Sequence, residues 1–247
     1  AVLLAAAIAA WVVMGYSIPW LAVLSNPRRP ILEAANGTWF IWVVASQSIA
    51  VVAAGIEPLY PEARQWLAII AVTTWSMGVM LYAMCGLLLL FRLIMYRLEP
   101  QQLDPPYWIT MGAMAITVVA GARIVEMDDA PMIDVTRALI AGLSVIFWAF
   151  ATWLIPALLA AGVWRHVVKR VPFRYQPTLW SFVFPMGMYA AASIYLGRAN
   201  RLPVVEAVGE IWFWAALLAW SITAVGMVFW GVTLFVDGRY QEGTAGR

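Results

Sequence analysis

The chain alternates between long apolar segments and short polar ones. Seven apolar stretches occur, at about residues 1–23, 38–55, 66–91, 107–122, 138–164, 178–196 and 211–235. A helix of roughly 20 apolar residues crosses the hydrocarbon core of a bilayer, and these stretches reach or approach that length. The pattern therefore predicts an all-α polytopic membrane protein, with seven transmembrane helices embedded in a lipid bilayer.

A repeat runs through the spans. The second, fourth and sixth spans are short, and each opens with a tryptophan: Trp39, Trp108 and Trp180. The longer third, fifth and seventh spans also carry a tryptophan at matching points: Trp75, Trp148 and Trp220. Within each series the tryptophans are 69 to 73 residues apart. One short and one long helix thus form a unit of about 72 residues that occurs three times.

This repeat predicts how the chain is organised. We expect a single transmembrane domain over residues 1–247, made of a half repeat (1–35) and three helical hairpins (36–104, 105–176 and 177–240). Each unit crosses the membrane twice, so successive units keep the same orientation, as in parallel repeats related by an axis along the membrane normal. The hairpins are expected to surround a central pore, with the short helices inside and the long ones facing lipid.

Charge is scarce and unevenly distributed. Only 11% of the residues are charged, against about 25% in an ordinary globular domain. The loops after the odd-numbered spans hold ten Lys and Arg and five acids, whereas the opposite loops hold five Arg and eight acids. Because positive loops mark the cytoplasmic side, we predict a cytoplasmic C-terminus and a location in the cell (inner) membrane. The net charge of +2 gives no reason to expect a nucleic acid partner.

Three arginines recur near the ends of odd-numbered spans. Arg28, Arg92 and Arg165 each stand 17 residues beyond a tryptophan of their span: Trp11, Trp75 or Trp148. A cation at this end of a helix complements the helix dipole, and arginines at span ends commonly reach the membrane interface. We interpret all three residues as interfacial anchors.

Several reactive side chains are missing from the spans. The single histidine, His166, and the single lysine, Lys169, stand just beyond a span end, and Cys85 is the only cysteine. A haem or metal site held by histidines and a retinal Schiff base on a lysine are therefore not expected. The spans also lack a pair of carboxylates. We expect no cofactor, no bound metal, no catalytic residue and no enzymatic activity.

The short spans predict neutral walls. They are rich in small and polar residues, and none contains an ionisable group in its apolar part. Small residues let helices approach closely, and hydroxyl and amide groups tolerate water. A path lined by the short spans would therefore carry no charge along its length.

Three short spans also resemble a known family. Residues 179–191 read LWSFVFPMGMYAA, residues 42–51 read WVVASQSIAV and residues 105–113 read PPYWITMGA. These segments are similar to the ninth, fifth and seventh helices of the tellurite-resistance and dicarboxylate transporter family, which includes the plant slow-type anion channels. The resemblance implies ten helices in five hairpins around a central pore, assembled as a homotrimer. The seven spans correspond to the fourth to tenth of those helices, so this chain alone is not expected to close the ring.

The resemblance also implies a gate. A phenylalanine of the ninth helix plugs the pore in this family, and the matching residue is Phe184. Pro185 follows it and is expected to kink the helix. Val43 and Gly112 stand at equivalent positions, four residues beyond their tryptophans. The residues expected to line the pore are Pro185, Met188, Val43, Gln47, Gly112 and Ile116.

Passage of small anions through a gated central pore is the function that these features predict. The family implies four-carbon dicarboxylates, tellurite or inorganic anions, and an Arg-rich cytoplasmic mouth would raise their local concentration. An ion-coupled secondary transporter is one alternative, and it would need a charged group at its substrate site, such as Arg123 or Glu210 near the outer interface. A membrane-embedded enzyme or receptor is the other, and a bound chromophore or haem would reveal it.

Overall fold

The computed structural model describes residues 2–24, 31–128 and 130–245. Seven long helices occur in these ranges: α1 (Val2–Leu24), α2 (Ile41–Ile56), α3 (Arg64–Met95), α4 (Ile109–Val125), α5 (Pro131–Val163), α6 (Trp180–Ala199) and α7 (Pro203–Ala245). By length and composition, all seven are suited to cross a membrane. The predicted all-α fold with seven spans is therefore confirmed. Residues 25–30, within the predicted half repeat and including Arg28, lie outside the described residues.

The long helices extend beyond the apolar stretches that predicted them. Helices α3 and α5 contain 32 and 33 residues, and α5 continues into a π-helical turn at Trp164–Val168. At 1.5 Å per residue each is about 50 Å long, whereas the hydrocarbon core is about 30 Å thick. Their first turns carry Arg64 and Asp134, which hydropathy alone assigns to loops. These helices therefore project past the hydrocarbon core into the interfaces.

Burial separates the short helices from the long ones. In α4, 89% of the apolar span is buried, against 11% in α7 and 6% in α1. Helix α4 packs between α2 and α6, and α3, α5 and α7 each pack against the short helix that precedes them. Small residues such as Gly112, Ala113 and Gly121 permit this close packing around α4. The long helices form the more exposed layer, with apolar side chains suited to contact lipid.

Tryptophans of three long helices reach the next short helix. Trp11 Nε1 donates to the Ser46 hydroxyl, and Trp148 Nε1 donates to the Ser193 hydroxyl, both at 2.8 Å. Trp75 Nε1 donates to a backbone carbonyl of α4 at 3.0 Å. A buried indole N–H needs an acceptor, so each bond fixes the rotation of the two helices that it joins.

Arg92 and Arg165 are buried, at 3% and 7% exposure. The Arg92 Nε donates to the carbonyl of Glu33 at 2.9 Å, and a terminal nitrogen donates to the side-chain oxygen of Gln102 at 3.0 Å. Arg165 donates to the carbonyl of Leu103. The interpretation of these two arginines as interfacial anchors is therefore wrong. Each one instead fastens the end of a long helix to the loop that leads into the preceding short helix.

Candidate functional site

The short helices α4 and α6 meet at Gly112. A Cβ atom on Gly112 would lie 2.8 Å from the Cγ of Pro185 and 3.1 Å from Cε1 of Phe184. Both distances are shorter than normal contacts between carbon atoms, which lie at 3.5–4.0 Å. Glycine is therefore required for Phe184 and Pro185 to lie directly against the α4 backbone. The structure brings these three predicted site residues together.

One side of α4 faces away from the long helices. The carbonyl of Thr117 accepts a hydrogen bond from α3, and Gly121 packs against Ser144 of α5, so these two residues mark the outward side. Residues spaced by four, three and four positions share one side of a helix. The inner face of α4 consists of Gly112, Ile116, Val119 and Arg123.

Helix α6 presents a matching face. Its outward side is bonded to α5, because the Ser193 hydroxyl accepts from Trp148 and the Tyr189 hydroxyl lies 2.7 Å from that of Thr152. The opposite side has the same spacing as on α4, and its four residues are all half-buried. The inner face of α6 consists of Phe184, Met188, Ala191 and Tyr195.

Pro185 lies inside α6, beside its inner face. A proline has no N–H, so the carbonyl of Ser181, one turn earlier, receives no hydrogen bond from position 185. Pro185 itself is buried against Gly112. Pro185 therefore forms the contact between α4 and α6, and the Phe184 ring lies beside this contact.

Val43 and Gln47 of α2 are directed elsewhere. The Gln47 Nε2 donates to the carbonyl of Trp75 at 3.1 Å, and its amide occupies the space left by Gly78. Val43 is fully buried in a cluster that includes Cys85 of α3. The structure thus places both predicted lining residues against neighbouring helices and does not bring them onto an exposed side of α2.

The exposed side of α2, which points away from α1 and α3, does not contain the predicted residues Val43 and Gln47. Val43 and Gln47 are buried, whereas the nearby Ala45 and Ser48 are exposed or half-exposed. One residue rotates a helix by about 100°, so alignment of Trp39 with Trp108 does not select the exposed side of α2. The inner face of α2 consists of Ile41, Ala45, Ser48, Val52 and Gly55, which are exposed or half-exposed. In the sequence, only the spacing of these residues by four and three positions indicated that they share one face of the helix.

The inner faces carry almost no charge. Along α2 and α6 their residues are apolar except for the hydroxyls of Ser48 and Tyr195, and Ser48 donates to a carbonyl of its own helix at 2.8 Å. The described residues contain no cluster of His, Cys, Asp or Glu suited to a metal ion. The arrangement can present an apolar surface with few polar atoms to a passing ion.

The exception is Arg123, at the last turn of α4. Its guanidinium donates to the Tyr195 hydroxyl at 2.9 Å and lies over the Tyr195 ring, 4.3 Å from the ring centre. The carboxylate of Glu126 is 3.9 Å away. Glu210, the other charged residue considered for a substrate site, is exposed on α7.

The remaining reactive side chains lie outside the inner faces. His166 Nδ1 is 2.8 Å from the carbonyl of Val171, and the ammonium of Lys169 lies 5.4 Å from the ring centre of Trp164. Cys85 is buried in α3, with its thiol 3.7 Å from a backbone carbonyl. Each of these groups has a local structural contact.

Comparison with known proteins places the chain in a family. The model of the SLAC1 family, described as voltage-dependent anion channel, matches residues 1–228. An uncharacterized membrane protein of Mycobacterium tuberculosis is 58% identical over 148 residues, which are 60% of this chain and 75% of that protein. An uncharacterized transporter of Methanocaldococcus jannaschii is 26% identical over 195 residues, which are 78% of this chain.

The chain spans only 55% of the length of that archaeal transporter. A second transporter of the same archaeon is 25% identical over 195 residues. No solved structure matches the chain. The family match covers nearly the whole sequence, including all three inner faces. The chain therefore belongs to the SLAC1 family of voltage-dependent anion channels.

Proposed function

We propose that this membrane transport protein passes small anions through a gated central pore, and that α2, α4 and α6 form part of its wall. The anions are four-carbon dicarboxylates, tellurite or inorganic ions, and the Phe184 ring closes the path. The observation that carries the proposal is the contact of Phe184 with Gly112. It sets an aromatic ring of one inner face against the only inner-face position of α4 that lacks a side chain.

The chemistry of the inner faces supports anions that cross without tight binding. No acid repels them along the three faces, and few polar atoms replace their water. Selection in such a path follows the cost of dehydration and the width of the constriction. Weakly hydrated or flexible anions would then pass most readily once the aromatic ring moves aside.

Substitution of the gate tests this proposal. We expect Phe184→Ala to raise the anion conductance of the protein in liposomes severalfold, because the ring no longer fills the space beside Gly112. Phe182→Ala is the matched control on the same helix, since that ring packs edge-on against Trp108 with ring centres 4.6 Å apart. Its conductance should equal that of the wild type. Equal conductance of the wild type and Phe184→Ala would refute the gate.

An ion-coupled secondary transporter is the second candidate function. The observation in its favour is Arg123, a charged group on the inner face of α4. Coupled transport predicts uptake that follows an imposed proton gradient at zero membrane potential. The pore predicts uptake that follows the anion gradient and the membrane potential alone, so flux measurements under the two conditions separate the candidates.

A further inference from the structure

We infer that Arg123 recruits anions at the outer end of the path and that Tyr195 positions it; this inference rests on the proposed anion pore. Arg123 and Tyr195 are the last residues of the inner faces of α4 and α6. Both stand 15 residues beyond the tryptophan that opens their span, Trp108 or Trp180. Matching positions of two repeats thus meet at one end of the proposed path.

The guanidinium of Arg123 keeps most of its donors for a ligand. A guanidinium has five N–H donors, and among the described residues Arg123 makes one hydrogen bond, to the Tyr195 hydroxyl. The nearest described carboxylate, of Glu126, is 3.9 Å away and beyond hydrogen-bond range. The Arg123 side chain is 37% exposed. Its remaining N–H groups can therefore meet an anion that arrives from water.

Two other arginines at this end of the helices have closer acidic partners. Arg64 contacts Glu57 at 2.5 Å and Asp128 at 2.7 Å, and Arg198 contacts Glu206 at 2.7 Å. A carboxylate at such distances satisfies the guanidinium and cancels its charge locally. Arg123 differs because its hydrogen-bonded partner is a neutral phenol, and its ion pair with Glu126 is longer, at 3.9 Å, and exposed to water.

Tyr195 holds the guanidinium over the inner faces. Its ring lies 4.3 Å from the Arg123 guanidinium carbon, within the range of a cation–π interaction. Its hydroxyl oxygen accepts from a terminal nitrogen. Together the two contacts fix both the plane and the direction of the guanidinium. A planar, fixed fork suits carboxylates and oxyanions, which accept two parallel N–H bonds.

The consequence is a dependence of anion entry on ionic strength. A positive charge at a narrow entrance raises the local anion concentration, and salt screens that effect. The screening length is about 30 Å at 0.01 M salt and about 3 Å at 1 M. Arg123 should therefore speed anion entry at low salt and matter little at high salt.

The test compares unitary anion currents of the purified full-length protein in planar bilayers at 10 mM and 1 M salt. We expect Arg123→Gln to lower the 10 mM conductance on the order of threefold to tenfold and to leave the 1 M conductance unchanged. Arg123→Lys, which keeps the charge, should retain most of the low-salt conductance. Arg201→Gln removes one charge from the exposed α6–α7 turn and should have no comparable effect. Each variant is measured twice, once with Phe184 intact and once combined with Phe184→Ala.

The outcomes separate this inference from the pore proposal. Equal losses in Arg123→Gln and Arg123→Lys, or a loss that persists at 1 M salt, would assign Arg123 a structural role and overturn the inference alone. Unchanged low-salt currents in Arg123→Gln would do the same. Absence of anion current in every protein, including Phe184→Ala, would overturn the pore proposal and this inference with it.

Discussion

Arg201 adopts a left-handed backbone conformation, with φ of 55°. It ends α6, where the Leu202 N–H donates to the carbonyl of Gly197 at 2.8 Å and the Arg201 N–H donates to that of Arg198 at 3.3 Å. This pair of bonds is the Schellman ending, in which glycine usually occupies the position of Arg201. A residue with a side chain pays about 1–2 kcal/mol for this conformation.

Replacement of Arg201 by glycine should therefore stabilise the protein. Glycine removes the backbone penalty but has more freedom in the unfolded chain, so we expect a net gain of about 0.5–1 kcal/mol. For a chain of this size the gain corresponds to a rise in Tm of about 1–4 °C, measured by thermal unfolding in detergent. Arg201→Ala is the control and should give no rise, because alanine keeps the Cβ atom. An equal rise in both variants would attribute the effect to the lost charge.

At this scale the sequence located some residues of the candidate site and not others. The family resemblance selected Phe184, and the equivalent count of four residues from Trp108 selected Gly112; the structure brings these two residues together. The same count from Trp39 selected Val43, and Gln47 one turn later, whereas the amide of Gln47 is bonded to α3. The difference arises because a shift of one residue rotates every side chain of a helix by about 100°, and the count from Trp39 does not fix that register for α2.

Between elements, α6 and α7 are held in close contact by Gly209. A Cβ atom at this position would lie 2.8 Å from the backbone nitrogen of Ile194 and 2.9 Å from the backbone oxygen of Ala190. A flexible side chain could move aside, but a helix backbone cannot do so without separating the two helices. Gly231, on the same helix, has no atom within 4 Å of such a Cβ.

These two glycines give a matched pair of substitutions. Gly209→Ala should destabilise the protein by about 1–3 kcal/mol, the usual cost of overpacking. Gly231→Ala should be neutral or stabilising by up to about 1 kcal/mol, because alanine favours the helix. Thermal unfolding in detergent measures both. A Tm for Gly209→Ala at or above that of the wild type would contradict the close packing of α6 on α7.

The existence of the elements was predictable from the sequence, but their full lengths were not. Apolar runs identified every span because the hydrocarbon core demands about 20 apolar residues. The helices then continue through charged residues such as Arg64, because backbone hydrogen bonds do not stop where hydropathy falls. The hydropathy pattern also could not predict the burial of Arg92, since its acceptors belong to two loops: the carbonyl of Glu33 before α2 and the side-chain oxygen of Gln102 between α3 and α4.

Across the whole molecule, the outer ends of several helices are linked by ion pairs. Arg64, at the start of α3, binds the buried Glu57 just after α2 and Asp128 in the turn after α4. Glu57 is 2% exposed, and burial of a carboxylate is costly unless it is paired and hydrogen-bonded. The rim formed by these turns is therefore fixed by charge, whereas the membrane-spanning part depends on small residues and tryptophan hydrogen bonds.

At the scale of the whole molecule, assembly as a homotrimer and closure of the ring of helices remain predictions. Helix α1 packs mainly against α2, and its apolar surface is largely exposed. Trp11, Trp20, Trp42 and Met80 border a groove of about 900 Å³ between α1, α2 and α3. The apolar pattern indicates that this surface is shielded from water, but either lipid or a second protein chain can shield it.

The orientation in the membrane is the last prediction at this scale. Ten Lys and Arg accompany five acids on one side, against five and eight on the other. Positive loops stay in the cytoplasm, so the C-terminus should lie inside and the α6–α7 turn at residues 200–202 outside. A green fluorescent protein fused at the C-terminus should fluoresce, and alkaline phosphatase fused there should be inactive. Phosphatase fused after residue 201 should be active.

Burial divides the cytoplasmic Lys and Arg residues into two groups that can set this orientation. Arg92 and Arg165 are enclosed by loop carbonyls in the folded protein, so they face the membrane potential and the lipid headgroups only during insertion. If the positive-inside rule acts during insertion, the double variant Arg92→Gln, Arg165→Gln should show a smaller difference in reporter activity between the two sides of the membrane. This is expected even though neither side chain is exposed in the folded protein. If these two substitutions only lower Tm and leave the reporter activities unchanged, the exposed residues Arg97, Lys169, Arg170 and Arg174 carry the signal. Inverted activities in the unsubstituted protein would reverse the orientation and place Arg123 at the cytoplasmic mouth.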